Sequence, residues 1–314
     1  MKNIALIFSG QGSQTVGMGF DLFQNSPSAK NVFEVADRVL GRSISELCFN
    51  GSEEDLALTI NSQPCILAVE IALFEALKEM TDLEVSAVAG HSLGEYAALY
   101  AAGVIDLETA FLLINKRAEF MNDIAVKSNG GMAAVLGLDD ATVKSLVSDL
   151  ENVFVANYNC IGQVVITGDK DAINNNIDKF KAAGAKRVLP LAVSGAFHSP
   201  YMKEAGVLFD EFVKQCVLND ANIPVYTNVD ANKTNSKDEF LIKMPMQIYS
   251  SVLWTDTILN MKNDGIVDFV ELGPKSILAG MNKKISDEIN TFSATGFETL
   301  KTVVTSLNNE KELV

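Results

Sequence analysis

The chain has few of the residues that mark several common kinds of functional site. Its 314 residues include only two histidines and four cysteines, and the cysteines are scattered with no C-x-x-C spacing. That usage argues against a zinc site and a disulfide framework, and it is typical of free thiols in a reducing cytosol. We therefore expect a cytoplasmic protein without a metal. Because an imidazole base must be His91 or His198, the search for catalytic groups is narrow.

Long hydrophobic runs and positive charge are also scarce. No run of about 18 apolar residues occurs, so no membrane span is expected. The stretch IALIF (4–8) leads into a Gly/Gln loop, and we interpret it as a first buried strand rather than a signal peptide. The chain has 40 Asp and Glu residues but only 25 Lys and Arg residues, so its net charge is −15. Such an acidic surface repels nucleic acid, so we expect no nucleic-acid partner.

The patterns that are present predict a discontinuous α/β protein. Residues 1–126 alternate short apolar strands with helices, as in parallel sheets buried on both faces. Residues 127–194 predict the order strand, helix, strand, strand, helix, strand, which is typical of a ferredoxin-like unit. Residues 195–314 return to the α/β pattern, with strands near 223–227 and 266–271, one helix between them and a closing helix after about 292. We expect a large subdomain formed by 1–126 and 195–314 and an inserted small subdomain, 127–194.

The stretch VSAVAGHSLGEYAALYAAG, residues 85–103, has the layout of a nucleophile elbow. A strand leads to Ser92, which has a glycine two residues before and two residues after it, and a helix follows. Glycines allow the tight turn that exposes the serine oxygen. A G-x-S-x-G match alone is weak, and the strand before it and the helix after it strengthen the interpretation.

An oxyanion hole and a base can be sought in two further loops. The sequence GQGSQ after the first strand matches neither G-x-G-x-x-G nor a phosphate-binding loop. It could instead supply the backbone N–H of Gln11 beside that of Leu93, and a plain structural turn remains the alternative. His198, in SGAFHSP, is the candidate base, with a solvated or capped histidine as the alternative. His91 adjoins Ser92, and because adjacent residues leaving an elbow point in different directions, we expect it to pack or to form a hydrogen bond. The early position of His198 and the absence of an HGGG motif do not fit an α/β-hydrolase.

Seven motifs in order resemble one enzyme family. They are FSGQGSQ, GHSLGEYAAL, KRAEFM, NYNCIGQVVITG, GAFHSP, QIYSSVLW and ELGPKSIL. The chain resembles the malonyl-coenzyme A:acyl-carrier-protein transacylases of bacterial fatty acid synthesis over residues 4 to about 285. The resemblance implies a hydrolase-like large subdomain with a ferredoxin-like insert and an active site between them.

The resemblance also implies roles for particular residues. Ser92 matches the nucleophile and His198 the general base. The backbone amides of Gln11 and Leu93 match the oxyanion hole, and the backbone carbonyl of Gln247 matches the group that orients the imidazole.

Three further positions match groups that the family uses to hold its substrate. Arg117 matches the residue that binds the malonyl carboxylate, a role that suits the planar fork of arginine. Gln63 and Asn159 match polar positions that line the cleft. From the pattern alone, Arg117 would be a surface cation on an amphipathic helix.

The implied reaction uses malonyl-CoA as substrate and the phosphopantetheine of acyl carrier protein as acceptor, with no bound cofactor. We expect a monomer. Two departures from the family are Lys275 in ELGPKS, where glycine is usual, and the GAFHSP context, which resembles polyketide acyltransferases. A polyketide or polyunsaturated-fatty-acid partner, a serine thioesterase or esterase, and a non-catalytic binding protein remain alternatives. Because the carrier protein is acidic, we expect a basic patch at the cleft mouth. Its candidate residues are Lys186, Arg187, Lys275, Lys283 and Lys284.

Overall fold

A six-stranded sheet forms the centre of the protein in the computed structural model, which describes residues 3–193 and 195–312. Its strands are β1 (Ile4–Phe8), β2 (Val85–Gly90), β7 (Val225–Tyr226), β8 (Lys233–Thr234), β9 (Asp268–Leu272) and β10 (Asn290–Ala294). The order across the sheet is β10-β9-β1-β2-β7-β8. All neighbours are parallel except β8, which runs antiparallel to β7.

The central strands are apolar because helices cover both faces of the sheet. Every residue of β1 and β9 is buried, as parallel strands between helical layers require. The helices are α1 (Phe20–Asn25), α2 (Pro27–Leu40), α3 (Ile44–Asn50), α4 (Glu53–Ala57), α5 (Thr59–Met80), α6 (Gly94–Ala101), α7 (Leu107–Ala125), α10 (Lys203–Val213), α11 (Lys237–Gln247), α12 (Trp254–Asn263), α13 (Leu278–Ile285) and α14 (Phe297–Glu312).

A second sheet is built from the middle of the chain. Its elements are β3 (Gly130–Leu136), α8 (Asp140–Ser148), β4 (Val153–Cys160), β5 (Gln163–Asp169), α9 (Lys170–Ala182) and β6 (Arg187–Pro190). The strand order β4-β5-β3-β6, with antiparallel pairs throughout, is that of a ferredoxin-like unit. It has its own apolar core, which includes Val135, Ile166 and Phe180. The expected fold class is confirmed, and the exact boundaries at 126/127 and 194/195 stay a prediction.

Helix α5 is a long and largely apolar helix of the large subdomain. By length and composition it could cross a membrane, but 78% of its apolar window is buried inside the protein. It packs on α2 and α7, and 16 of its 22 residues are buried. A helix that is apolar all round is expected in a core of this size, and the packing accounts for its composition.

The C-terminal region differs from the expectation. The weak pattern after about residue 292 predicted only a closing helix, whereas the structure has the strand β10 before α14. The sequence of β10 is NTFSA, with one residue fully buried, so it carries no apolar run. As an edge strand, it needs only one apolar face. Two helices, α11 and α12, rather than one lie between the predicted strands near 223–227 and 266–271.

Backbone hydrogen bonds attach the edge of the small sheet to the segment that follows α11 in the large subdomain. The Val252 N–H donates to Ala156 O at 2.8 Å, and the Tyr158 N–H donates to Val252 O at 2.9 Å. Strand β4 is thereby attached to the segment that follows α11, and the cleft between the sheets has a fixed wall.

Candidate active site

The elbow at Ser92 connects β2 to α6 with a strained turn. Ser92 has φ 53°, a left-handed conformation that is uncommon for residues other than glycine. A Cβ on Gly90 would lie 1.9 Å from the carbonyl carbon of Gly94, so only glycine fits there. The turn therefore raises the serine side chain out of the strand and places it at the start of α6.

Asn228, a residue that the sequence did not single out, holds the turn from the other side. Its Oδ1 accepts the Ser92 N–H at 2.7 Å, and its Nδ2 donates to Gly90 O at 2.6 Å. Because Asn228 comes two residues after β7, its side chain continues the pairing of β7 with β2 beyond the end of the strand. The Asn228 N–H in turn donates to Oε2 of the buried Glu95 at 2.7 Å.

His198 faces the serine across the cleft. Its Nε2 lies 2.8 Å from Ser92 Oγ, and its Nδ1 lies 2.9 Å from Gln247 O and 3.1 Å from Ser250 O. Two carbonyl oxygens can only accept, so Nδ1 carries the proton and Nε2 is free to take one from the serine. A carbonyl pair thus takes the place that a carboxylate has in a serine protease.

The imidazole of His198 is neutral in this environment. Burial and, second, the nearby charge of Arg117 lower the pKa of His198 to about 3. A neutral imidazole is the form that a general base needs. His91 is half-buried, and desolvation lowers its pKa; its Nε2 lies 2.8 Å from Asn159 Oδ1, and its ring lies against Trp254.

Arg117 extends from α7 into the same cleft. It is 1% exposed, and burial lowers its pKa from the ordinary value. Of the two terminal guanidinium nitrogens, one donates to Gln63 Oε1 at 2.6 Å. The other donates to Ser92 Oγ at 3.0 Å and to Gln247 Oε1 at 3.1 Å. The helix that looked amphipathic in the sequence therefore places this cation inside the protein, next to the serine.

Gln247 contacts Ser92, His198 and Arg117. Besides its carbonyl contact with His198, its side-chain Nε2 donates to Ser92 O at 2.9 Å and its Oε1 accepts from Arg117. The family resemblance implies a backbone role alone for Gln247, so these two side-chain contacts are additional.

The two expected oxyanion donors lie at the cavity wall and the elbow. Among the residues that the structure describes, neither the Gln11 N–H nor the Leu93 N–H has an acceptor. Gln11 lines the cavity, and Leu93 begins the turn into α6. A side-chain hydrogen bond stabilises the turn that contains Gln11, because Ser13 Oγ donates to Gly10 O at 2.8 Å.

A cavity of about 330 Å³ opens over Ser92. Gln11, Ser92, Arg117 and His198 lie in its wall, together with the segment 191–193. The two polar residues expected to line the cleft lie one layer behind it. Gln63 lies behind Arg117, and Asn159 lies behind His91.

The described residues contain no group of three or more His, Cys, Asp and Glu side chains that could hold a metal ion. The four cysteines are free, and three of them are buried. The polar groups at the cavity include a hydroxyl, a neutral imidazole and a guanidinium, which are groups that acyl transfer can use.

These features are typical of a serine acyl-transfer site in which backbone carbonyls, rather than a carboxylate, contact the imidazole. A family model described as acyl transferase domain matches residues 5–309. A malonyl CoA-acyl carrier protein transacylase from Bacillus subtilis is 38% identical over 316 residues, which cover 99% of both chains. The Staphylococcus aureus (strain MW2) protein of the same name is 40% identical and covers 96% of this chain and 98% of its own.

Solved structures agree with these relatives. The transacylase from Clostridium perfringens superposes with a TM-score of 0.94 at 31% identity, over 99% of each chain. A malonyl-transacylase in complex with its type II PKS acyl-carrier protein gives 0.93 at 35% identity, over 97% of this chain and 100% of that one. The chain belongs to the acyl transferase domain family and, within it, to the malonyl CoA-acyl carrier protein transacylases.

Proposed function

We propose that the chain transfers a malonyl group from malonyl-CoA to the phosphopantetheine thiol of acyl carrier protein through a malonyl ester on Ser92. It acts as an acyl-carrier-protein S-malonyltransferase that supplies fatty acid elongation. The observation that carries the proposal is that Ser92 Oγ contacts His198 Nε2 at 2.8 Å and an Arg117 nitrogen at 3.0 Å. A nucleophile, its base and a carboxylate-binding cation therefore meet at one atom.

In the first half-reaction, Ser92 Oγ attacks the thioester carbonyl carbon while His198 Nε2 takes the serine proton. The amides of Gln11 and Leu93 donate to the oxyanion. The C–S bond then breaks, and the coenzyme A sulfur leaves with the proton from His198. Arg117 holds the malonyl carboxylate through two parallel hydrogen bonds.

The second half-reaction runs through the same groups in reverse. His198 takes the proton of the carrier thiol, and the sulfur attacks the malonyl ester. The ester C–O bond breaks, and the oxygen of Ser92 leaves with the proton. Atoms and charges balance without a metal or a redox cofactor. A serine thioesterase would share Ser92 and His198 but would have no use for a buried guanidinium beside the nucleophile.

A basic surface near the cavity mouth would assist the carrier protein. The five candidate residues are exposed, and Lys275 Nζ donates to the backbone oxygen of Gln14, which lines the cavity. The lysine that replaces the usual glycine in ELGPKS therefore lies at the entrance. Reversing the charge of Lys275 together with that of Lys186, Arg187, Lys283 and Lys284 should raise KM for the carrier protein at low salt and less at high salt. The exposed Lys301 gives a charge-reversal control, and unchanged carrier kinetics at low salt would exclude the patch.

We propose further that the enzyme is a cytoplasmic monomer.

The test of the proposed activity is malonyl transfer from malonyl-CoA to holo-acyl carrier protein by wild type, Ser92→Ala, His198→Ala and the exposed control Ser148→Ala. We expect malonyl carrier protein with wild type and Ser148→Ala only. Free malonate in place of malonyl carrier protein would establish a thioesterase instead. No turnover of malonyl-CoA by wild type would refute the proposed activity.

A further inference from the structure

The guanidinium of Arg117 is held by neutral groups. Its two partners besides Ser92 are the carboxamide oxygens of Gln63, at 2.6 Å, and Gln247, at 3.1 Å. Both glutamines are buried, with exposed fractions of 0% and 1%. The ring of Tyr96 lies 5.6 Å from the guanidinium carbon and adds a further uncharged contact.

No carboxylate among the described residues forms an ion pair with Arg117. Glu95 is the buried carboxyl that interacts with it at longer range, and its Oε2 is taken by the Asn228 N–H. Burial raises the pKa of Glu95 to about 7, so this carboxyl is only partly ionised at neutral pH. The charge of Arg117 is therefore largely uncompensated before a substrate enters.

A buried cation without a counter-ion is costly, and proteins ordinarily pair it with a carboxylate. Amide oxygens accept the same hydrogen bonds without cancelling the charge. The cavity side of the guanidinium then meets a substrate carboxylate with full attraction. A glutamate in place of either glutamine would cancel that attraction from inside the protein.

We propose that Gln63 and Gln247 are specificity-determining residues, whose neutral amides keep the charge of Arg117 available to an acyl group that ends in a carboxylate. The inference rests on the proposed malonyl transfer. A carboxylate introduced at position 63 should replace the malonyl carboxylate as the partner of Arg117, and the enzyme should then prefer a neutral acyl group such as acetyl. Gln63 suits the test because its other contact, from Nε2 to Met121 Sδ at 3.6 Å, is weak.

The experiment measures single-turnover acylation of the enzyme by malonyl-CoA and, separately, by acetyl-CoA, with intact-protein mass as the readout. Gln63→Glu is compared with wild type and with Gln63→Met, which has a similar size and no charge. For Gln63→Glu we expect the malonyl-to-acetyl rate ratio to fall about 100-fold, as for a buried charge pair that loses its partner. For Gln63→Met we expect both rates to fall together and the ratio to change by less than about tenfold.

A merely structural role of Gln63 would lower both acylation rates equally in the Glu and Met variants, and that result would overturn the inference. Gln247→Glu is the second variant, because it keeps the backbone carbonyl that faces His198 and tests the same idea if Gln63→Glu does not fold. Wild type that forms no malonyl adduct would refute the proposed function itself. Wild type that forms the adduct, with a ratio unchanged in both glutamate variants, would refute only the role of the glutamines.

Discussion

Replacing Asn228 by alanine should damage both the stability of the protein and the chemistry of Ser92. The substitution leaves the Ser92 N–H and the Gly90 carbonyl, now bonded at 2.7 Å and 2.6 Å, without partners in a buried site. Each unpaired buried group costs about 1–3 kcal/mol, so the expected loss is about 2–6 kcal/mol. That is a large part of the 5–15 kcal/mol typical of a folded protein. The strained φ of Ser92 also loses a contact that maintains it.

The assay is denaturant unfolding together with the rate of Ser92 acylation by malonyl-CoA. Asn235→Ala is the matched control, because its side chain makes one hydrogen bond, to Ala221 O, away from the elbow. We expect Asn235→Ala to cost about 0.5–1.5 kcal/mol and to leave acylation unchanged. An Asn228→Ala protein that unfolds within about 1 kcal/mol of wild type and acylates at the same rate would refute the role assigned to Asn228.

Three further results are expected. Between the ordinary Glu pKa of 4.5 and the folded value of about 7, the folded protein binds more protons at Glu95 than the unfolded chain does, so stability falls as pH rises through this window. Glu95→Gln should remove about 3 kcal/mol of that fall, as measured by the free energy of unfolding at pH 4.5 and at pH 8. A pH dependence of stability that is unchanged in Glu95→Gln would contradict this expectation. In the Glu95→Gln protein, kcat/KM should show no acid limb near pH 6.5, because the pKa of His198 in the free enzyme is about 3; a limb centred near 6.5 would show an ordinary imidazole. Gly90→Ala should give no folded protein, because its Cβ would overlap the Gly94 carbonyl carbon, and circular dichroism of a native-like Gly90→Ala protein would exclude that clash.

The fold was readable from the sequence where burial imposes a strong pattern. The fully buried β1 and the six-element order of the small sheet are such cases, because a run or an alternation of apolar residues marks each strand. Strand β10 was missed because its exposed positions are polar and it pairs on one side alone. Its position depends on β9, which lies next to it in space, and local propensity does not report such a partner.

Only those site residues that lie in a short sequence motif could be predicted from the sequence. The glycines around Ser92 mark the elbow within five residues of chain, and the scarcity of histidine made His198 the candidate base. Asn228 contacts Ser92 across 136 positions, and no spacing rule connects the two. The burial of Arg117 was likewise hidden, since a lone arginine in a helix ordinarily lies at the surface.

The central claim is a malonyl ester on Ser92, and its most direct test is intact-protein mass spectrometry after brief mixing with malonyl-CoA. Peptide mapping then locates the added group. We expect one malonyl adduct on Ser92 in wild type and none in Ser92→Ala. An adduct that persists in Ser92→Ala, or its absence from wild type, would contradict the account.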